Sequence, residues 1–127
     1  MEQLNKVLIV DDDMVARFLV QRILVKRNVS KQILTASNGV EALQVINENC
    51  SDGTCPELIL LDIKMPIMDG FEFLEAFQHS TYKNLPVKIV LLTSSFNPKD
   101  VERAKSYPIM AHLIKPLTEA NLSTIIA

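Results

Sequence analysis

The stretch VLIVDDDMVARF, Val7 to Phe18, runs four apolar residues straight into three consecutive aspartates and then into a helical pattern. Two unit charges ~4 Å apart repel by about 4 kcal/mol at an effective dielectric of 20. A carboxylate cluster of this kind therefore needs a counter-charge or a raised pKa. The apolar run before it reads as a strand buried on both faces, which places the acids at a strand's carboxyl end.

Working outward, the same signal recurs. KVLIV (6–10), ELILL (57–61) and VKIVLL (87–92) are short apolar runs of the parallel-sheet type, and weaker runs at Gln32–Ala36 and Met110–Ile114 bring the count to five strands. Each is followed by a helical pattern. Val15, Phe18, Leu19 and Ile23 form one stripe, expected to face the core, and Val40, Leu43 and Ile46 form another. Further helices are predicted over Gly70–His79, Lys99–Ser106 and Thr118–Ile126. Five alternations without a composition break predict α/β architecture, a doubly wound parallel sheet in a single domain spanning 1–127.

The composition, 48% hydrophobic and 22% charged over 127 residues with a net charge of −2, is that of a globular chain without a basic footprint for nucleic acid or anionic lipid. MEQLNK has no apolar run behind a basic start, and no run reaches the ~18 apolar residues of a membrane span, so a cytoplasmic location is expected. Cys50 and Cys55 lack further Cys or His partners for zinc and read as reduced, incidental loop thiols.

In doubly wound sheets function gathers beyond the carboxyl ends of the strands. There stand Asp11, Asp12 and Asp13 after the first strand, Asp62 after the third, Thr93 and Ser94 after the fourth, and Lys115 after the fifth. Singly, each has an ordinary reading: Asp13 as a helix cap, Asp62 and Thr93 as strand-end turns, Lys115 as a solvated charge. Together they suit a hard divalent cation, Mg²⁺ or Mn²⁺, held by oxygen ligands, which relieves the repulsion of the opening stretch. An aspartate not consumed as a ligand can act as a nucleophile and accept a phosphoryl group.

These residues carry a resemblance. VLIVDDD, LILLDIKMPIMDGFEFL, VLLTSS and LIKPL, in this order, closely resemble the motifs of bacterial response-regulator receiver domains, over nearly the whole chain. The resemblance implies a flavodoxin-like, three-layered fold with five helices and strand order 2-1-3-4-5. It implies Asp62 as phosphoacceptor, Asp12 as direct metal ligand, Asp11 as ligand through water, and Lys64 as ligand through its main-chain carbonyl. Thr93 would be the hydroxyl switch and Lys115 the cation paired with the phosphoryl group. The Lys115–Pro116 bond would be cis, aiming the ammonium inward, although Pro116 could also simply start a helix. Asp69 would cap the third helix.

The function so implied is a phospho-accepting switch. A histidine kinase or phosphotransfer protein would donate to Asp62 with Mg²⁺, and the domain would shift to a state that binds a downstream protein, as monomer or phosphorylation-dependent dimer. Direct contact with nucleic acid or membrane is not expected. Nor is turnover of a separate substrate, beyond self-phosphorylation and slow self-dephosphorylation. A haloacid-dehalogenase-type phosphatase shares the ingredients, but its nucleophile would follow the first strand, and there is no room for a cap insertion. A phosphate-independent interaction module is the third reading.

Several positions depart from the family pattern. His112 stands where an aromatic switch residue is usual, either as a switch whose charge varies near neutral pH or as a half-buried strand histidine. Ser94 replaces a common alanine. Lys64 and Ser95 occupy the two positions that tune dephosphorylation and predict no unusually fast loss. NENCSDGTCPEL makes a long connection away from the acidic end, and SYPIMA replaces a glycine-containing turn before the fifth strand.

Overall fold

The structure, a computed structural model, describes residues 3–94 and 96–126. Five strands alternate with five helices: β1 Leu4–Val10, α1 Met14–Lys26, β2 Ser30–Ala36, α2 Gly39–Cys50, β3 Leu58–Leu61, α3 Gly70–Gln78, β4 Lys88–Thr93, α4 Pro98–Ala104, β5 Ala111–Ile114 and α5 Glu119–Ile126. All pairings are parallel, in the order β2-β1-β3-β4-β5. The predicted flavodoxin-like sheet is thus the observed one.

The apolar runs earn their burial by alternation. Leu8, Val10, Ile59, Leu61, Ile89 and Leu91 point to one face, where Ala42 and Ile46 of α2, Phe71, Phe73, Leu74 and Phe77 of α3, and Ala104 of α4 cover them. Val7, Ile9, Leu58, Leu60, Val90 and Leu92 point to the other, under Val20 and Leu24 of α1 and Leu122 and Ile125 of α5. Side-chain period 2 along the strands therefore makes two cores and three layers. Burying each large side chain contributes about 1.5–3 kcal/mol.

One predicted stripe is corrected. In α1 the buried residues are Val20 and Leu24, with Ile23 packed beside them, whereas Val15 (62%), Phe18 (56%) and Leu19 (48%) stay exposed. The helix carries two overlapping apolar stripes, both satisfying the i, i+3, i+4 template, and it docks with the more carboxyl-terminal one. In α2 the buried residues are Gly39, Ala42 and Ile46; Leu43 is half-buried and Val40 is exposed at the edge.

The cysteines require a second correction: Cys50 and Cys55 form a disulfide, not free thiols. The connection between α2 and β3 folds back over Lys6 of β1, whose ammonium binds both arms of the loop and brings the two sulfurs together. This loop lies at the amino end of the sheet, opposite the acidic rim, as expected. No helix among the described residues is long and apolar enough to cross a membrane.

Candidate functional site

Strand register assembles the site. Val10 pairs with Leu61, and the amide of Asp62 donates to the Val10 carbonyl at 2.9 Å, so the residue after β1 lies beside the residue after β3. Thr93 pairs with Ile114, and the amide of Lys115 donates to the Thr93 carbonyl at 2.7 Å. The cis Lys115–Pro116 bond follows directly. Asp11, Asp12, Asp13, Asp62, Lys64, Thr93, Ser94 and Lys115 line one cavity of about 300 Å³.

Local bonds fix the carboxylates. Asp11 Oδ1 accepts from the amide of Asp13 at 2.9 Å, and Asp13 caps α1 by accepting from the amide of Val15. Asp62 Oδ1 accepts from the amide of Ile63 at 2.9 Å, which orients that carboxylate. Beneath Asp62 the chain turns into α3, where Asp69 and Glu72 form a reciprocal capping box. A Cβ on Gly70 would stand 2.4 Å from the Asp62 carbonyl oxygen, so only glycine permits this approach.

Charge is crowded here. The Lys115 ammonium bonds Asp11 at 2.5 Å and lies 3.5 Å from Asp62. Burial pushes the Lys115 pKa down, but the hydrogen bond to Asp11 and the charges of Asp62 and Asp11 outweigh it, leaving the pKa raised. Asp62 is pushed up to about 6 by burial first and by Asp11 second, with Lys115 and the Ile63 amide opposing. One ammonium does not neutralise three carboxylates.

The donor set fits a hard cation. Carboxylate oxygens of Asp11, Asp12 and Asp62 lie within 4.8 Å of one another, and none of the side chains at the rim is a soft ligand. Opposite ligands of octahedral Mg²⁺ are about 4.2 Å apart and adjacent ones about 3 Å. The cluster is thus close to the size of one ion's ligand shell. Asp12, which is exposed, and Lys64 line the same cavity.

A model of the response regulator receiver domain matches residues 7–127. The chain belongs to the response regulator receiver domain family. It is 30% identical over 121 residues to the sensor histidine kinase CheAY of Helicobacter pylori, covering 94% of this chain but 14% of that protein. It is 29% identical over 112 residues to the sporulation initiation phosphotransferase F of Bacillus subtilis, covering 88% and 82%. A two-component response regulator from Cytophaga hutchinsonii superposes with a TM-score of 0.89 at 29% identity, over 98% of this chain and 95% of that one.

Receiver domains are signalling switches that typically bind Mg²⁺ at an acidic cluster and interact with histidine kinases or phosphotransfer proteins. In this receiver, Asp11, Asp12, Asp13, Asp62, Lys64, Thr93, Ser94 and Lys115 all line the one cavity, and His112 does not. His112 sits in β5, half-buried, with Nε2 lacking a hydrogen-bond partner among the described residues and the ring edge-on to Phe96, centroids 4.7 Å apart. Burial lowers its pKa, and the charge of Asp100 opposes this. Ser95 lies outside the described residues.

Two contributors were missed in the sequence. Arg17 Nη1 donates to the Asp11 carbonyl at 2.6 Å, pinning the acidic turn from within α1. Val15 and Leu19 line an apolar groove of about 320 Å³ that continues into the acid cavity through Asp13, Ser94 and Lys115. A basic residue one helical turn after the acid run could have flagged the first. Nothing local could have flagged the second.

Proposed function

We propose that this receiver accepts a phosphoryl group on Asp62 from a phosphohistidine of a histidine kinase or phosphotransfer protein and thereby changes the partner-binding state of the domain. The observation that carries the reading is the Asp62 carboxylate itself. It is buried, oriented by the Ile63 amide, crowded by two further carboxylates and 3.5 Å from Lys115. A carboxylate whose pKa is pushed up to about 6 is mostly ionised at neutral pH yet more nucleophilic than an ordinary aspartate.

The chain's residues divide the work. An oxygen of Asp62 attacks phosphorus as the bond to the donor imidazole nitrogen breaks, and the pair of electrons leaves with that nitrogen. Asp12 and Asp62 would hold Mg²⁺ directly, the Lys64 main-chain carbonyl would complete the protein ligands, and Asp11 would hold a water on the ion. When bound, Mg²⁺ neutralises charge on the transferring oxygens. Lys115 moves from Asp11 toward the new phosphoryl oxygens, and the Thr93 hydroxyl, at the end of β4, bonds one of them. Interactions present only after transfer shift the equilibrium between two states, and a shift from 1:99 to 99:1 needs about 5.5 kcal/mol. One neutral hydrogen bond of about 1 kcal/mol is too small, so the ionic contacts of Lys115 must share it.

The apolar groove of α1 opening into the cavity supports a protein as donor, because its walls offer a docking surface that a small phosphate ester does not need. The test is incubation with Mg²⁺ and a phosphorylated histidine phosphotransfer protein, followed by mass mapping. One phosphoryl group on Asp62, and none in Asp62→Ala, is the expected result. Label at any other residue overturns the assignment, and hydrolysis of a phosphomonoester well beyond one equivalent would point to a phosphatase instead.

A further inference from the structure

The loop between α2 and β3 is built around a cation that the phosphoacceptor site does not use. Lys6 is 6% exposed, and its ammonium donates to the carbonyls of Asn49 at 3.0 Å and Thr54 at 2.7 Å while pairing with Asp52 at 3.1 Å. These three partners interleave with Cys50 and Cys55, which the disulfide joins. The turn between them has its own bonds. The amide of Gly53, a residue at φ +86°, donates to the Cys50 carbonyl at 3.0 Å, and that of Thr54 donates to Asp52 Oδ1 at 2.8 Å.

A loop with this many anchors does not depend on its sulfur–sulfur bond for shape. Burying an ammonium is costly unless it is fully hydrogen-bonded, so opening the loop would expose unpaired carbonyls and strand Lys6 in the sheet. The disulfide is half-exposed at both cysteines, and Cys55 with Gly53 and Thr54 lines a surface cleft of about 250 Å³ at the amino end of the sheet. A reductant has access from there.

We propose that Cys50 and Cys55 are a reversible thiol–disulfide site, reduced by dithiols, whose open form keeps its loop because Lys6 holds both arms from beneath. One thiolate of the dithiol attacks a sulfur of the pair and breaks the Cys50–Cys55 bond. The second thiolate then attacks the dithiol's own sulfur in the mixed disulfide and releases the remaining cysteine as a thiolate. Two electrons and two protons pass from the dithiol to the two cysteines, and the dithiol leaves as its own disulfide. Lys6 is a positioning residue in this exchange; it touches neither electron pair.

The test uses the full chain, dithiothreitol, maleimide labelling and amide hydrogen exchange. As prepared, neither cysteine should label. After dithiothreitol both should, with Gly53 and Thr54 amides exchanging within about threefold of the oxidised rate. On exchange of the reductant for oxidised glutathione, whose disulfide takes up the two electrons and two protons and leaves as two glutathione thiols, the pair should close within one molecule. In reduced Lys6→Met the same amides should exchange at least about tenfold faster, and reclosure should slow by a similar factor as effective concentration falls. Asp52→Ala removes an exposed acceptor of both the Lys6 ammonium and the Thr54 amide and leaves the core intact; read at the Gly53 amide alone, and in reclosure, it should move both readouts in the same direction should Lys6→Met fail to fold. Free thiols in the untreated protein, closure between molecules, or a reduced wild-type loop as mobile as that of Asp52→Ala would overturn the proposal. Each of these results is independent of whether Asp62 accepts phosphate.

Discussion

At the scale of single residues, Asp62 couples the acid cluster to pH. Its carboxyl, pushed up to about 6, must lose its proton before it can ligate a cation. Mg²⁺ affinity, read by isothermal titration calorimetry, is therefore expected to be level above about pH 7. Below about pH 6 it should fall by about tenfold per pH unit as the proton competes. Ile67 raises a different matter. It is 80% exposed and held at φ +68°, a left-handed conformation that a β-branched side chain tolerates poorly. Since almost nothing packs on it, Ile67→Asn should relieve strain and raise the unfolding free energy by about 1 kcal/mol in a urea titration. Asn28, at φ +50° after α1, shows the same backbone state filled by a residue suited to it.

Among the elements, α1 stands out because it turns one apolar stripe inward and another outward. Phe18 and Leu19 cover no core, so truncating them should leave the fold in place, while an exposed aromatic next to Leu19, which lines the groove opening into the site, is the kind of anchor that dominates a protein interface. Phe18→Ala is expected to slow phosphoryl transfer from a protein donor by about tenfold or more, corresponding to at least 1.4 kcal/mol, with labelling by acetyl phosphate unchanged. Equal losses with both donors would show that Phe18 supports the site and not the docking. The α3 start belongs to the same scale: Asp69, Gly70 and Glu72 form a cap whose position sets the floor under Asp62.

For the molecule as a whole, the acid cluster opposes the fold that creates it. Asp62 binds its proton more tightly in the folded chain than at its ordinary value of 3.8, so the folded state without Mg²⁺ is favoured most below pH 3.8 by this group. That contribution is lost as pH rises through about 6. Thermal scans of the metal-free protein should show this residue's share of stability declining between about pH 4 and 7, and Asp62→Asn should flatten the slope. Saturating Mg²⁺ at neutral pH should restore stability by about 2.7 kcal/mol at 100 times the dissociation constant. A metal-free protein whose pH slope is the same with and without the Asp62 carboxyl would contradict the crowding.

Local chemistry determined a good deal of this protein. The apolar runs at 6–10, 57–61 and 87–92 set the strands, because a strand buried on both faces must be apolar throughout, and strand ends then fixed where Asp11, Asp12, Asp62, Thr93 and Lys115 would gather. The caps at Asp13 and Asp69 were legible for the same reason: a cap acts on amides two or three residues away. Only tertiary structure decided which stripe of α1 faces the sheet, since Val15–Leu19 and Val20–Leu24 fit the helical period equally and the choice depends on what β1, β3 and α5 present. Only tertiary structure joined Cys50 to Cys55, because the ammonium that gathers their loop comes from Lys6, a neighbour across the fold and 46 positions from Asp52 in the chain. Periodicity and caps are short-range and can be read along the chain, whereas face selection and loop closure depend on partners that meet only when the chain has folded.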